Sequence, residues 1–135
     1  RDGRIGISGS VLFSLNSSEL QTEGRKLLRS LVQPLLLYLT EQNELLMVSG
    51  FTDDLPIQQG NRNYSDNWEL SAQRALTVTR ALVEEGMPPA LVFAAAFGAQ
   101  HPVVANKDDA SRSRNRRVEM APVPRASAEQ QAIDD

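Results

Sequence analysis

The chain has 135 residues, a length that fits one domain whose core needs neither disulfides nor metal. Hydrophobic residues make up 41% of it and charged residues 23%, the proportions of an ordinary globular protein. A formal net charge of -3 and a pI near 5.2 argue against a general nucleic-acid or anionic-membrane binder, and the absence of cysteine excludes disulfides and thiolate chemistry.

The first third of the chain predicts a strand, a loop and a long helix. Residues 5–13 alternate loosely between apolar and small residues, which is typical of a strand, and residues 15–19 are polar enough for a loop. Over residues 22–42, apolar side chains recur at the three- and four-residue spacing of a helix face. Pro34 lies inside that segment and is expected to bend or split the helix, because it removes one backbone hydrogen bond.

Three further strands are expected. Residues 44–52 form an apolar run between polar residues, which predicts a buried central strand with Asp53 at its C-terminal end. Residues 54–66 have little periodicity and predict a long surface loop. Residues 91–97 and 116–123 have the composition of a third and a fourth strand.

A second helix is expected between the central strand and the third strand. It should begin at Asp66 or Asn67, with Glu69 completing a capping box, and end at Glu85. Its predicted apolar stripe consists of Ala72, Ala75, Leu76, Thr79, Leu82 and Val83.

The element order β-α-β-α-β-β predicts an α/β sandwich, in which helices cover one face of a mixed four-stranded sheet. Residues 1–124 are expected to form the single domain. Residues 125–135 carry no apolar pattern and are expected to be a disordered tail.

Two charged side chains form the candidate site. Asp53 leaves the predicted central strand, and Arg74 lies one turn inside the expected second helix. A carboxylate and a guanidinium can clamp a small zwitterion, since each matches one of its charged ends, and the N–H groups at a helix start attract the same anion. The spacing is equally compatible with Asp53 and Arg74 pairing only with each other as a structural salt bridge.

Several sequence blocks recur in a known order between residues 48 and 120. They resemble the OmpA/MotB family of peptidoglycan-binding domains, and Val-Leu-Phe at residues 11–13 resembles the first strand of that family. The blocks are Gly-Phe-Thr-Asp at 50–53, Asn-x-x-Leu-Ser-x-x-Arg-Ala at 67–75, Gly86, Gly98, Pro102 and Asn-Arg-Arg-Val-Glu at 115–119.

The resemblance implies a binding function without catalysis or cofactor. In the family, the matching aspartate and arginine bind meso-diaminopimelate of the peptidoglycan stem peptide, and these positions are Asp53 and Arg74 here. Lesser ligand roles are implied for Thr52, Asn67 and Leu70, the last mainly through its backbone. Supporting roles are implied for Phe13 as an apolar wall and for Asn115 and Arg116 in loop geometry.

Within the family the chain is closest to the MotB branch. The long loop at residues 54–66 and the strings Thr-Asp-Asp-x-Pro and Asn-Trp-Glu-Leu-Ser-Ala point to it, whereas Phe51 stands where many relatives carry His or Tyr. The branch implies a homodimeric periplasmic domain of an inner-membrane stator subunit, with a membrane helix upstream and a motor-type partner subunit. Flagellar and Zorya anti-phage motors fit equally, and an outer-membrane anchor of Pal or OmpA type is the alternative.

Other chemistry is less favoured by the residues. His101 is the only histidine, and without cysteine it makes no zinc site; without a Gly-x-Ser-x-Gly elbow it makes no hydrolase triad, so a cell-wall hydrolase is the weaker rival. The pair at residues 108–109 lacks the spacing of a calcium loop. No aromatic platform accompanies the basic cluster, which therefore predicts a structural role rather than nucleic-acid binding; it comprises Arg112, Arg114, Arg116 and Arg117.

Overall fold

A mixed sheet of four strands forms the scaffold in the computed structural model, which describes residues 4–14, 17–57 and 63–125. The strand order is β1-β4-β2-β3. Strand β4 is antiparallel to both β1 and β2, whereas β2 and β3 are parallel. The predicted mixed sheet with helices is confirmed. The strands are β1 Ile5–Ser8, β2 Glu44–Phe51, β3 Val92–Gly98 and β4 Arg117–Pro124.

Two long helices, α2 (Thr22–Gln42) and α3 (Asn67–Glu84), pack against each other, and α3 also lies on strands β2 and β3. Their apolar side chains meet those of β2 and β4 in one buried core. Across the described ranges, no helix is both long and apolar enough to cross a membrane. The helices are α1 Gly9–Leu12, α2 Thr22–Gln42, α3 Asn67–Glu84 and α4 Asp109–Asn115, with a 3-10 turn at Pro89–Leu91.

The first predicted strand is wrong in its second half. Strand β1 ends at Ser8, and the chain turns into the short helix α1 because the Ser8 hydroxyl accepts a hydrogen bond from the Ser10 amide at 3.3 Å. Gly9 also donates its amide to the Arg116 carbonyl at 2.8 Å, which brings the turn against the start of β4. Residues 15 and 16 of the predicted loop lie outside the described residues, and 17–19 are in neither helix nor strand.

Helix α2 has the predicted bounds and is continuous through Pro34, so the chain is not split there, and the expected bend at Pro34 stays a prediction. Its buried face runs past Pro34 on both sides, through Leu28, Val32, Leu35 and Leu39. Burying four such side chains outweighs the loss of one backbone hydrogen bond.

Helix α3 begins as predicted, with Asp66 as its N-cap accepting from the Glu69 amide at 2.9 Å. The Glu69 carboxylate accepts from the Ser65 amide rather than from that of Asp66, so the capping box is displaced by one residue. The predicted apolar stripe is partly wrong: of its members only Ala75 and Leu82 are fully buried. The buried face includes two polar side chains and consists of Leu70, Ser71, Arg74, Ala75, Val78, Ala81 and Leu82.

The later strands lie within one residue of their predicted bounds. The short helix α4 was not expected; it is closed by a capping box in which Asp108 accepts from the Ser111 amide at 2.9 Å. Residues 126–135 lie outside the described part of the chain, so the proposed tail stays a prediction.

Candidate functional site

The C-terminal end of β2 is held tightly against α3. A Cβ atom on Gly50 would lie 2.1 Å from the carbonyl oxygen of Ser71, so only glycine permits this approach. The buried Ser71 hydroxyl accepts from the Gly98 amide at 3.0 Å, and the Thr52 amide donates to the Gly98 carbonyl at 2.8 Å. These contacts join the ends of β2 and β3 to α3, and they fix where the next residue, Asp53, leaves the sheet.

Asp53 is 7% exposed and both of its carboxylate oxygens are engaged. Oδ2 accepts from Arg116 Nη1 at 2.6 Å, and Oδ1 accepts from the Leu55 amide at 3.0 Å. Thr52 Oγ1 donates to the Asp53 carbonyl at 2.9 Å. Asn67 Nδ2 donates to the Leu55 carbonyl at 3.1 Å, so the first residue of α3 holds the turn that carries the carboxylate.

Arg74 is 6% exposed, and only part of its guanidinium forms hydrogen bonds within the described residues. Its Nε donates to the Ser17 carbonyl at 2.9 Å, and its guanidinium lies 5.0 Å from the centroid of the Phe13 ring. Within the described ranges, neither Nη nitrogen of Arg74 takes part in a hydrogen bond or ion pair. Burial lowers the pKa of Arg74, Tyr64 acts in the opposite direction, and the positive charge of Arg116 lowers the pKa further.

Arg74 does not lie where the sequence analysis placed it. It is about two turns inside α3, since the helix begins at Asn67. The start of that helix is capped by the carboxylate of Asp66, so the positive charge facing the cleft is the guanidinium rather than the helix N-terminus.

No ion pair joins Asp53 to Arg74 in the part of the chain that the structure describes; Asp53 pairs with Arg116 instead. Both side chains nevertheless line the same cleft, of about 680 Å³. Seven of the eight sequence-predicted site residues line it: Phe13, Thr52, Asp53, Asn67, Leu70, Arg74 and Arg116.

Leu70 lines the cleft, whereas Asn115 lies outside its lining. The Leu70 amide donates to the Asp66 carbonyl inside α3, so its buried side chain faces the cleft while its amide is engaged. Asn115 is fully buried outside the cleft lining and bonds the 103–106 segment: Oδ1 accepts from the Val103 amide at 2.8 Å, and Nδ2 donates to Asn106 Oδ1 at 2.8 Å. Asn115 thus holds the loop before β4.

The sequence analysis missed part of the cleft wall. Tyr64 is buried, lines the cleft and donates its hydroxyl to Ser18 Oγ at 2.7 Å. An aromatic residue two positions before a helix N-cap was the only local signal for it. The other lining residues not expected from the sequence are Gly9, Ser10, Ser14, Gln21, Leu55, Pro56, Ile57 and Asp109.

The remaining candidate residues serve packing and ion pairing. Arg112 Nε donates to Asp54 Oδ1 at 2.8 Å, and His101 packs edge-on against the Phe97 ring with centroids 5.1 Å apart. Over the described residues, no cluster of three or more His, Asp or Glu side chains could hold a metal ion.

A four-stranded mixed sheet with two long helices and a charged cleft at the end of β2 defines a class of ligand-binding domain. Residues 12–116 match the model of the OmpA family, and the chain belongs to that family. The resemblance inferred from the sequence blocks is thereby confirmed.

The relatives include a motility protein and a peptidoglycan-associated lipoprotein. Motility protein B of Bacillus subtilis is 35% identical over 93% of this chain and 46% of its own length. The peptidoglycan-associated lipoprotein of Pseudomonas aeruginosa is 32% identical over 80% of this chain and 58% of its own. The chain spans about half the length of these relatives.

Among solved structures, a putative MotB-like protein from Desulfovibrio vulgaris superposes with a TM-score of 0.79 and 32% identity, covering 90% of this chain and 75% of that protein. The likeness to MotB domains drawn from the sequence is therefore confirmed, as is the fold.

Proposed function

We propose that the domain binds peptidoglycan without catalysis, through the diaminopimelate residue of the stem peptide. The observation that carries the proposal is the buried Arg74, which lines a cleft that also contains Asp53 and whose two Nη groups have no partner among the described residues. An amino-acid centre fits this arrangement, because its carboxylate can accept two bonds from the guanidinium while its ammonium approaches Asp53. The name of the peptidoglycan-associated relative supports the same ligand.

The other cleft residues would position the charged pair and contact the carbon chain of the ligand. Thr52 and Asn67 donate hydrogen bonds to the turn that carries Asp53, so they fix the position of its carboxylate. Phe13 and Leu70 supply apolar walls for the methylene groups of diaminopimelate. Phe13 also lies against the guanidinium of Arg74 and limits its rotation.

For the whole protein we propose a periplasmic wall anchor of a membrane complex, most simply a MotB-like stator subunit of a flagellar or Zorya-type motor. The likeness to Motility protein B supports this choice. Such a subunit would be a homodimer with an upstream membrane helix and a motor-type partner. The likeness to the peptidoglycan-associated lipoprotein favours the alternative, an outer-membrane anchor.

Retention by purified sacculi tests the binding proposal. A hydrogen bond to a charged group contributes about 1.5 to 3 kcal/mol, so Asp53→Ala and Arg74→Ala should each weaken retention by roughly 10- to 100-fold, and together nearly abolish it. Two matched controls should bind like wild type: Asp54→Ala, the adjacent exposed acid, and Arg80→Ala, an exposed arginine on the same helix. Equal retention of the two site variants and their controls would overturn the proposal.

A further inference from the structure

The guanidinium of Arg74 has more hydrogen-bond donors than it has acceptors among the described residues. Arg74 Nε donates to the Ser17 carbonyl, whereas neither Nη nitrogen has a hydrogen-bond partner among the described residues. A buried cation left in this state is costly, because burial removes water without supplying an anion. Among the residues that the structure describes, no carboxylate forms an ion pair with Arg74.

Arg116 adds a second guanidinium to the same cleft. It is paired with Asp53 through Nη1, and its side chain is about one-third exposed. Arg74 and Arg116 line the same cleft, and the positive charge of Arg116 lowers the pKa of Arg74. A ligand group arriving between them meets two positive charges, of which Asp53 offsets only one.

We infer that the cleft selects an amino-acid centre whose carboxyl group is free and rejects the same centre when that group is a carboxamide. The inference rests on the proposed peptidoglycan function and specifies which form of diaminopimelate is bound. Arg74, with Arg116 beside it, is the specificity-determining side chain.

The chemistry of the two groups gives the reason. A carboxylate has two acceptor oxygens and a negative charge, so it can take both Nη bonds of Arg74 and neutralise it. A carboxamide has one acceptor oxygen and a donor NH₂ group, which would face the donors of the guanidinium. The amide would leave the buried cation without a counter-charge and place donors against donors.

Calorimetry with two synthetic stem tripeptides tests this directly. The peptides are identical except that the side-chain centre of diaminopimelate carries a carboxylate in one and a carboxamide in the other. Wild type should bind the acid at least about tenfold more tightly than the amide, the effect of losing one charge-assisted hydrogen bond. In Arg74→Gln the acid should bind weakly and the acid-to-amide ratio should fall towards one. The control Arg80→Gln should keep both affinities.

The failure of this inference differs from the failure of the proposed function. Equal wild-type affinity for the two peptides overturns the selectivity and leaves peptidoglycan binding in place, whereas binding of neither peptide overturns the proposed function itself. Circular dichroism establishes that Arg74→Gln is folded, and Arg116→Gln serves as the second variant. If every folded variant keeps the wild-type ratio of acid affinity to amide affinity, the inference is overturned.

Discussion

Two arginines on opposite sides of the sheet, the buried Arg74 and the half-buried Arg117, differ in how many of their donors form hydrogen bonds. On the face away from the helices, Arg117 donates from Nε to Glu119, from Nη1 to the Asn115 carbonyl and from Nη2 to the His101 carbonyl, and its guanidinium lies 3.8 Å from the centroid of the Phe51 ring. Arg74 in the cleft donates from Nε alone within the described residues. The number of donors without a partner among the described residues therefore separates Arg74, which we propose binds ligand, from the structural Arg117.

The start of β4 supplies one arginine to the cleft and another to the opposite face of the sheet. Arg116 and Arg117 are neighbours in the chain, yet the first reaches into the cleft and the second lies on the open face of the sheet. Asn115 precedes them and is held in place by its bonds to the 103–106 segment. Asn115 thus holds the backbone segment from which Arg116 enters the cleft and Arg117 lies on the open face of the sheet.

The largest effect is expected for a substitution that disturbs both faces at once. Gly50→Ala places a methyl group 2.1 Å from the Ser71 carbonyl oxygen, so β2 and α3 must separate. We expect a loss of about 3 kcal/mol in the free energy of unfolding, measured by urea denaturation, together with weaker ligand binding. Gly6→Ala is the control, since a Cβ there meets nothing within 4 Å. Wild-type stability in Gly50→Ala would contradict the close approach on which the cleft geometry depends.

Replacing Arg117 or Arg74 by methionine should separate stability from binding. Arg117→Met removes three hydrogen bonds and leaves Glu119 poorly paired, so we expect a loss of about 2 kcal/mol in unfolding free energy with peptide affinity nearly unchanged. Arg74→Met loses one bond but also removes an uncompensated buried charge, so its unfolding free energy should change by less than about 1 kcal/mol while binding is lost. The comparison fails if Arg74→Met is the less stable variant.

The smallest effect concerns a partly exposed set of ion pairs between α2 and the residue that follows α3, Glu85. The Glu85 carboxylate accepts from Arg29 Nε at 2.9 Å and from Arg25 Nη1 at 3.0 Å, and these bonds lower the pKa of Glu85 below its ordinary value of 4.5. A depressed carboxyl pKa contributes stability above the unfolded-state pKa, and that contribution is lost as the pH falls through the folded-state pKa.

Glu85→Gln should therefore lower the melting temperature slightly at neutral pH, and the difference from wild type should disappear as the pH falls through the lowered pKa of Glu85. Melting curves by circular dichroism at a series of pH values measure it. Glu41→Gln, an exposed acid on α2, is the control. A difference that persists in acid would mean that packing rather than charge links these helices.

The sequence predicted those elements whose periodicity is strong and local. Helix α2 and strands β2 to β4 were found because apolar side chains repeat at the helix or strand period, and Asp53 and Arg74 were found from their place next to those elements. Helix α1 was missed because its Gly-Ser start carries no periodic signal and depends on a bond to Arg116, over a hundred residues later.

The rest of the site depends on contacts that no local pattern encodes. The buried stripe of α3 was misplaced because apolar periodicity assigns Ser71 and Arg74 to the surface, although both are buried for the contacts they make. The pairing of Asp53 with Arg116 joins residues 63 positions apart, and only the fold brings them together. The sequence could name the charged residues but not which of them pair.

The antiparallel pairing of β1 with β4 has a mechanical consequence. Ile5 pairs with Met120 and Ser8 with Arg117, so β1 runs from the far end of the sheet towards the cleft. A force pulling on Ile5 while the cleft is held fixed acts along the strand axis. The bonds of this ladder then share the load in shear rather than opening one after another, which is the more resistant arrangement for a domain under tension.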